Sequence, residues 1–150
     1  MNENRSAISE RMHEATSVCS RYNPIHAEIS NFSLALYVLG AIKSPDIMSA
    51  EDIDMTMAST LLNDKFQEIG ETDIPTGYRA TESEDRYLLV LGDPLFPVHF
   101  AALVDNKSKT PYFSKLRYFG SGFDSMEELQ TDFATEKSHG KHDTHYFRAI

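Results

Sequence analysis

Two apolar runs around a proline-bounded turn constrain this chain more than any other feature. Tyr87, Leu88, Leu89, Val90 and Leu91 form the first and are stopped by Gly92, Asp93 and Pro94. Residues 98–104 form the second, stopped by Asp105 and Asn106. A third, 112–119, alternates Lys115 and Arg117 against Leu116 and Tyr118. Runs this short, bounded by turn residues, read as strands rather than helices. The loops between them are too short for the crossover of a dozen or more residues that a parallel pair needs, so an antiparallel meander is expected. The first run is apolar on both faces, which places it centrally with cover on each side.

The helices come earlier. Ile8, Met12, Ala15, Cys19 and Tyr22 recur at helical spacing and mark one buried stripe. Asn23 and Pro24 open a second helix over 25–42, apolar on all sides from Leu34 onward and so central to the helical part. A third starts near Ser49 and Asp52, buries Ile53, Met57, Leu61, Phe66 and Ile69, and stops at Gly70. Glu51, Asp52 and Asp54 in its first turn suit the positive end of the helix dipole. Residues 78–82 read as a short first strand, 125–135 as a helix opened by a Ser125/Glu128 capping box, and 144–150 as a final edge strand.

The fold class that follows is α+β. A three-helix N-terminal segment packs on a mainly antiparallel meander of three to five strands, with one further helix near the C-terminus. At 150 residues the chain suits one domain. It divides into a helical lobe (5–70), a linker (71–77, with Pro75 and Gly77) and a sheet lobe (78–150) that share one core.

Charge narrows the function. Twenty-three acidic against fourteen basic residues give a net charge of −9. A polyanion meets repulsion, and no basic cluster offsets it, so neither nucleic acid nor an anionic membrane is expected as a partner. A single cysteine cannot make an internal disulfide, no signal-type segment opens the sequence, and no apolar run reaches membrane-spanning length. The expected location is the cytoplasm.

Several groupings carry chemistry in other proteins. Cys19, His99 and Asp105 (or Asn106) follow the nucleophile, base, orienter order of papain-like hydrolases. The helix reading, however, puts Cys19 near a helix C-terminus, where the dipole disfavours a thiolate. A small core cysteine and a partly buried histidine account for them better. His139, His142 and His145, with Asp143 among them, supply three imidazoles of the kind that hold Zn2+ or Ni2+. Their polar flanks and unfamiliar spacing favour a solvated segment, and no cofactor is expected. Gly120, Ser121 and Gly122 precede a helix start rich in acids, which repels phosphate, so a plain turn is expected.

Leu95 and Phe96 lie between Pro94 and Pro97. They either fold back over the end of the core, the commoner fate of such a pair, or stand out as a preordered apolar contact. Glu82, Glu84 and Asp85 gather at one turn, a face suited to a basic partner. Together these point to a non-catalytic acidic cytoplasmic protein of the immunity or adaptor type, which occludes a partner protein through Glu82, Glu84, Asp85, Leu95 and Phe96. The alternatives are the Cys19/His99 hydrolase and a small-ligand domain with its pocket between helices and sheet.

Overall fold

Extended segments form where the sequence is most apolar, and helices close over both faces of the sheet they make. The computed structural model describes residues 3–18, 32–42, 54–116, 120–134 and 141–150. In chain order these comprise α1 (Glu3–Val18), α2 (Ser33–Val38), α3 (Met55–Lys65), β1 (Phe66–Ile69), β2 (Tyr87–Asp93), β3 (Phe96–Leu103), β4 (Tyr112–Lys115), β5 (Ser121–Asp124), α4 (Met126–Asp132) and β6 (Thr144–Ala149). Short 3-10 turns span Glu71–Asp73 and Ala80–Glu82.

The six strands form one antiparallel sheet in the order β1-β6-β2-β3-β4-β5. The α+β class and the antiparallel sheet agree with the sequence; the strand count and the simple meander do not. β6 is not an edge. It returns between β1 and β2, pairing Phe147 with both Glu68 and Leu88. β1 replaces the expected end of the third helix: the helix stops at Lys65, and Phe66 is already extended. Alternation then turns Phe66 into the core and leaves Gln67 exposed, a period-two pattern too short to stand out beside the helix. Residues 78–82 are not a strand; Arg79 makes one isolated bridge to Asp105 before the 3-10 turn. Ser121 and Gly122 belong to strand β5 rather than to a plain turn, because they pair with Lys115 and Ser114.

Both faces are covered. On one, Phe32 meets Phe100 edge to face at 5.0 Å, and the Ser121 hydroxyl reaches the Ala15 carbonyl of α1 at 3.5 Å. Every residue of α2 is buried, as an all-round apolar helix requires. Ile8 and Ala15 of the α1 stripe are buried as well, and the Tyr37 hydroxyl ties α2 to Glu14 of α1 at 2.5 Å. On the other face Phe133 stacks on His99 at 4.0 Å and Tyr78 packs edge-on against Tyr87 at 4.8 Å. Leu88, Leu89, Val90 and Leu91 have no exposed surface, so each side chain contributes about 1.5–3 kcal/mol of burial.

The helix ends follow local chemistry. Asp54 caps α3 by accepting from the Met57 N–H at 2.9 Å; Ser49 and Asp52 lie outside the described residues. Ser125 and Glu128 form the expected reciprocal box at α4, at 3.1 and 3.0 Å. The residues assigned to the second helix before Phe32 also lie outside the described residues. Among the described residues no helix is long and apolar enough to cross a membrane.

Candidate functional site

The five partner-binding candidates fall at or beside the two ends of β2, which six residue steps of about 3.4 Å place roughly 20 Å apart.

At the first end β2 turns into β3. Asp93 pairs with Phe96, leaving Pro94 and Leu95 as a two-residue turn. Pro94 presets the backbone, and the Asp93 carboxylate accepts from the Leu95 N–H at 2.9 Å. Behind the turn the register shifts by one residue, so Val98 is extra on β3 and Pro97 sits at the bulge, where a missing N–H is tolerated. Gly92 makes this possible with φ +91°, and its N–H is held by the Asp143 carbonyl at 2.8 Å. Leu95 and Phe96 do not fold back over the core. They are 68% and 65% exposed.

At the second end the chain enters β2 through residues 83–86. Arg86 is buried and donates from one nitrogen to the Ala80, Ser83 and Asp85 carbonyls at 3.0, 2.7 and 2.9 Å. The Tyr78 hydroxyl donates to the Asp85 carbonyl at 2.6 Å; burial pushes this phenol up to about 12, against the pull of the Arg86 guanidinium. The scaffold places Glu84 and Asp85 on a cleft of about 590 Å3. Asp64 and Lys65 of α3 share it, contributions that no local sequence signal announced. Glu82 is elsewhere engaged, with Arg79 at 3.1 Å on the surface. The five partner-binding candidates are thus divided: Leu95 and Phe96 at one end, Glu84 and Asp85 at the other, Glu82 beside them but turned away.

His99 has no exposed surface, and its Nε2 lies 2.9 Å from the Ser114 hydroxyl. Burial, reinforced by the Lys115 charge, lowers its pKa to about 3, so the ring is neutral at physiological pH. A general base must reach its substrate, and this imidazole faces the interior. Asp105 lies beyond the far end of β3, four steps or roughly 13 Å past His99 even at Leu103, and it binds Arg79 and the Lys107 N–H. Cys19 lies outside the described residues.

Of the three tail histidines, His139 also lies outside the described residues. His142 is clamped: the Gln130 amide donates to its carbonyl at 2.9 Å and accepts its N–H at 2.7 Å. Its Nε2 lies 2.7 Å from the Phe133 carbonyl, which can only accept, so that nitrogen carries the proton. His145, on the other face of β6, holds Glu68 of β1 at 2.9 Å. These two rings serve to tie the last strand to α4 and to β1. Among the described residues no three His, Cys, Asp or Glu side chains gather as a metal site. Comparison with known protein families, with curated proteins and with solved structures gives no match.

Proposed function

We propose that this chain is a non-catalytic, acidic protein-binding module that covers a partner's surface, with the β2–β3 turn as its anchor. The observation that carries the reading is the pair Leu95 and Phe96, both about two-thirds exposed on a turn that is already ordered. Adjacent large apolar side chains gain by desolvation when they enter a partner's pocket. Because Pro94, Pro97, the Asp93 carboxylate and the Gly92 bulge fix the loop beforehand, little ordering entropy opposes that gain.

The charge of −9 supports a basic partner, which it would draw in before contact. Glu84, Asp85 and Asp64 are the steering group of this reading, and Glu82 extends the same field. Opposite ends of one strand do not fall within one small contact. The apolar end therefore supplies affinity, and the acidic end mainly speeds encounter. In this reading the module works in the cytoplasm and needs no cofactor.

The test is a paired substitution. Leu95→Ser with Phe96→Ser should lower retention of the host partner in pull-downs at least tenfold, with the melting curve unchanged. Undiminished retention by that folded variant sinks the reading.

A further inference from the structure

Beside the acidic end of β2, on the side where Arg79 and Thr81 flank Ala80, a cleft of about 430 Å3 opens between α1 and the rim of the sheet. One wall is apolar: Met12 of α1, Val104 just past β3, and Phe123 of the edge strand β5. Phe123 is 48% exposed, yet its ring is held in place edge-on by Phe113 at 5.0 Å. The rest of the lining is polar. Arg79 and Asp105 meet there as a bridge between two chain segments, Nε to Oδ2 at 3.7 Å. The Lys107 N–H fixes the other Asp105 oxygen at 3.0 Å, and Glu82 fixes the Arg79 Nη1 at 3.1 Å.

Three hydroxyls complete the wall. Ser108 accepts from the Thr110 N–H at 3.1 Å, which leaves its own proton to donate. The Thr81 and Thr110 hydroxyls make no hydrogen bond with another described residue. The lining comes from four separate stretches of chain, so nothing local in the sequence marks it.

These walls define a ligand by elimination. Arg79 is shared by Asp105 and Glu82, so a strong anion is disfavoured, and its own charge beside Asp105 opposes a strong cation. A flat aromatic ring and a thioether ask for a face of C–H groups. The ion pair and three hydroxyls ask for an edge dense in groups that both donate and accept. The volume lies in the range of small-molecule sites. We infer that this cleft binds a neutral pyranose sugar, with its C–H face on Phe123 and neighbouring hydroxyls shared between Arg79 and Asp105. Hydrogen bonds to those two charged groups are the strong ones, and they set the orientation. The site goes beyond the binding reading above and does not depend on it. It lies past the far end of β3 from Phe96, seven strand steps or roughly 23 Å away.

The experiment is an amide-shift titration of the whole chain with the methyl glycosides of glucose, galactose and N-acetylglucosamine, and with sorbitol as an open-chain polyol. At least one glycoside should give saturable shifts at Met12, Arg79, Asp105, Ser108 and Phe123, while sorbitol gives none. Asp105→Asn should weaken that binding about tenfold, the loss of one charge-assisted hydrogen bond. Phe123→Leu, which keeps an apolar side chain without the flat ring, should weaken it by a similar factor. Thr110→Val, nearly isosteric, covers the case in which Asp105→Asn disturbs the Arg79 bridge and the fold, and should weaken binding severalfold. The inference is overturned if no glycoside saturates, if the shifts map elsewhere, if sorbitol binds equally, or if folded Phe123→Leu binds unchanged.

Discussion

Each end of β2 encloses one buried nitrogen base, and the two are treated oppositely. At the acidic end Arg86 is always charged and is accommodated because the chain folds three carbonyls around it. At the turn end His99 is neutral, seated between the Ser114 hydroxyl and the Phe133 ring, with the Lys115 charge opposing protonation. A buried base keeps its charge where backbone acceptors can converge on it, which a curved loop allows. Strand β3 spends its carbonyls on its neighbours, and His99 there is a base able to shed its proton. The exterior follows the same division: carboxylates lie over the charged base, and apolar side chains stand out near the neutral one.

Acid breaks that comparison with the largest effect. His99 has an ordinary value of 6.5 and is held at about 3 in the folded chain, so between those values the unfolded chain binds more protons. Stability from this group is therefore complete above pH 6.5 and is lost as pH falls toward 3, by on the order of 3–5 kcal/mol. Denaturant titrations across that window should show a steeper decline for the native chain than for His99→Gln, which retains a polar partner for Ser114 without titrating. Amide exchange should accelerate at residues 89–91 and 99–101 before it does at 78–86. Equal acid slopes for the two proteins would mean that His99 is not the neutral, sealed base described above.

The converse substitution acts at every pH. Arg86→Met keeps the aliphatic bulk but strips the three carbonyls of their charged donor, for a loss of about 2–3 kcal/mol. Chemical denaturation at pH 5 and at pH 8 should give the same decrement. A decrement confined to one pH would show that the Arg86 environment is coupled to a titrating neighbour.

The same contrast explains what the sequence could and could not reveal. Residues 87–91 and 98–104 are dense enough in apolar side chains that strand pairing, centrality and cover on both faces follow from pattern alone. Pro94, Leu95, Phe96 and Pro97 also identified the turn. Whether Leu95 and Phe96 turn inward or outward depended on Val98 being extra, a register detail with no compositional signature. β1 was hidden because Phe66 and Ile69, three apart, suit a helix face as well as they suit a short strand next to Lys65. The placing of β6 between β1 and β2 is a choice of partner among strands, and local periodicity is silent about it. Asp64 joins Glu84 and Asp85 only through that arrangement, as the chain leaves α3 beside the entrance to β2.

The register at the turn end can be tested directly. A Cβ built on Gly92 would lie 2.9 Å from a Val98 methyl, on a backbone with φ +91°. Gly92→Ala should therefore cost about 1–2 kcal/mol, by strain and by crowding at the bulge. Pairing it with Val98→Ala separates the two causes. If crowding dominates, the double variant recovers part of the loss; if backbone strain dominates, the two losses add.

The smallest effect on stability belongs to the outer surface, and it sharpens the comparison most. Leu95→Ser with Phe96→Ser should shift the unfolding free energy by no more than about 0.5 kcal/mol, because both side chains are already about two-thirds exposed in the free chain. Glu84→Gln with Asp85→Asn should be equally mild in denaturant titrations. In binding the two pairs should part. Losing the apolar pair raises the dissociation rate and leaves its salt dependence unaltered. Losing the carboxylates slows association and flattens its dependence on ionic strength. Should the carboxylate pair alter dissociation and the apolar pair association, the ends have been assigned the wrong way round, and the acidic cleft is the anchor.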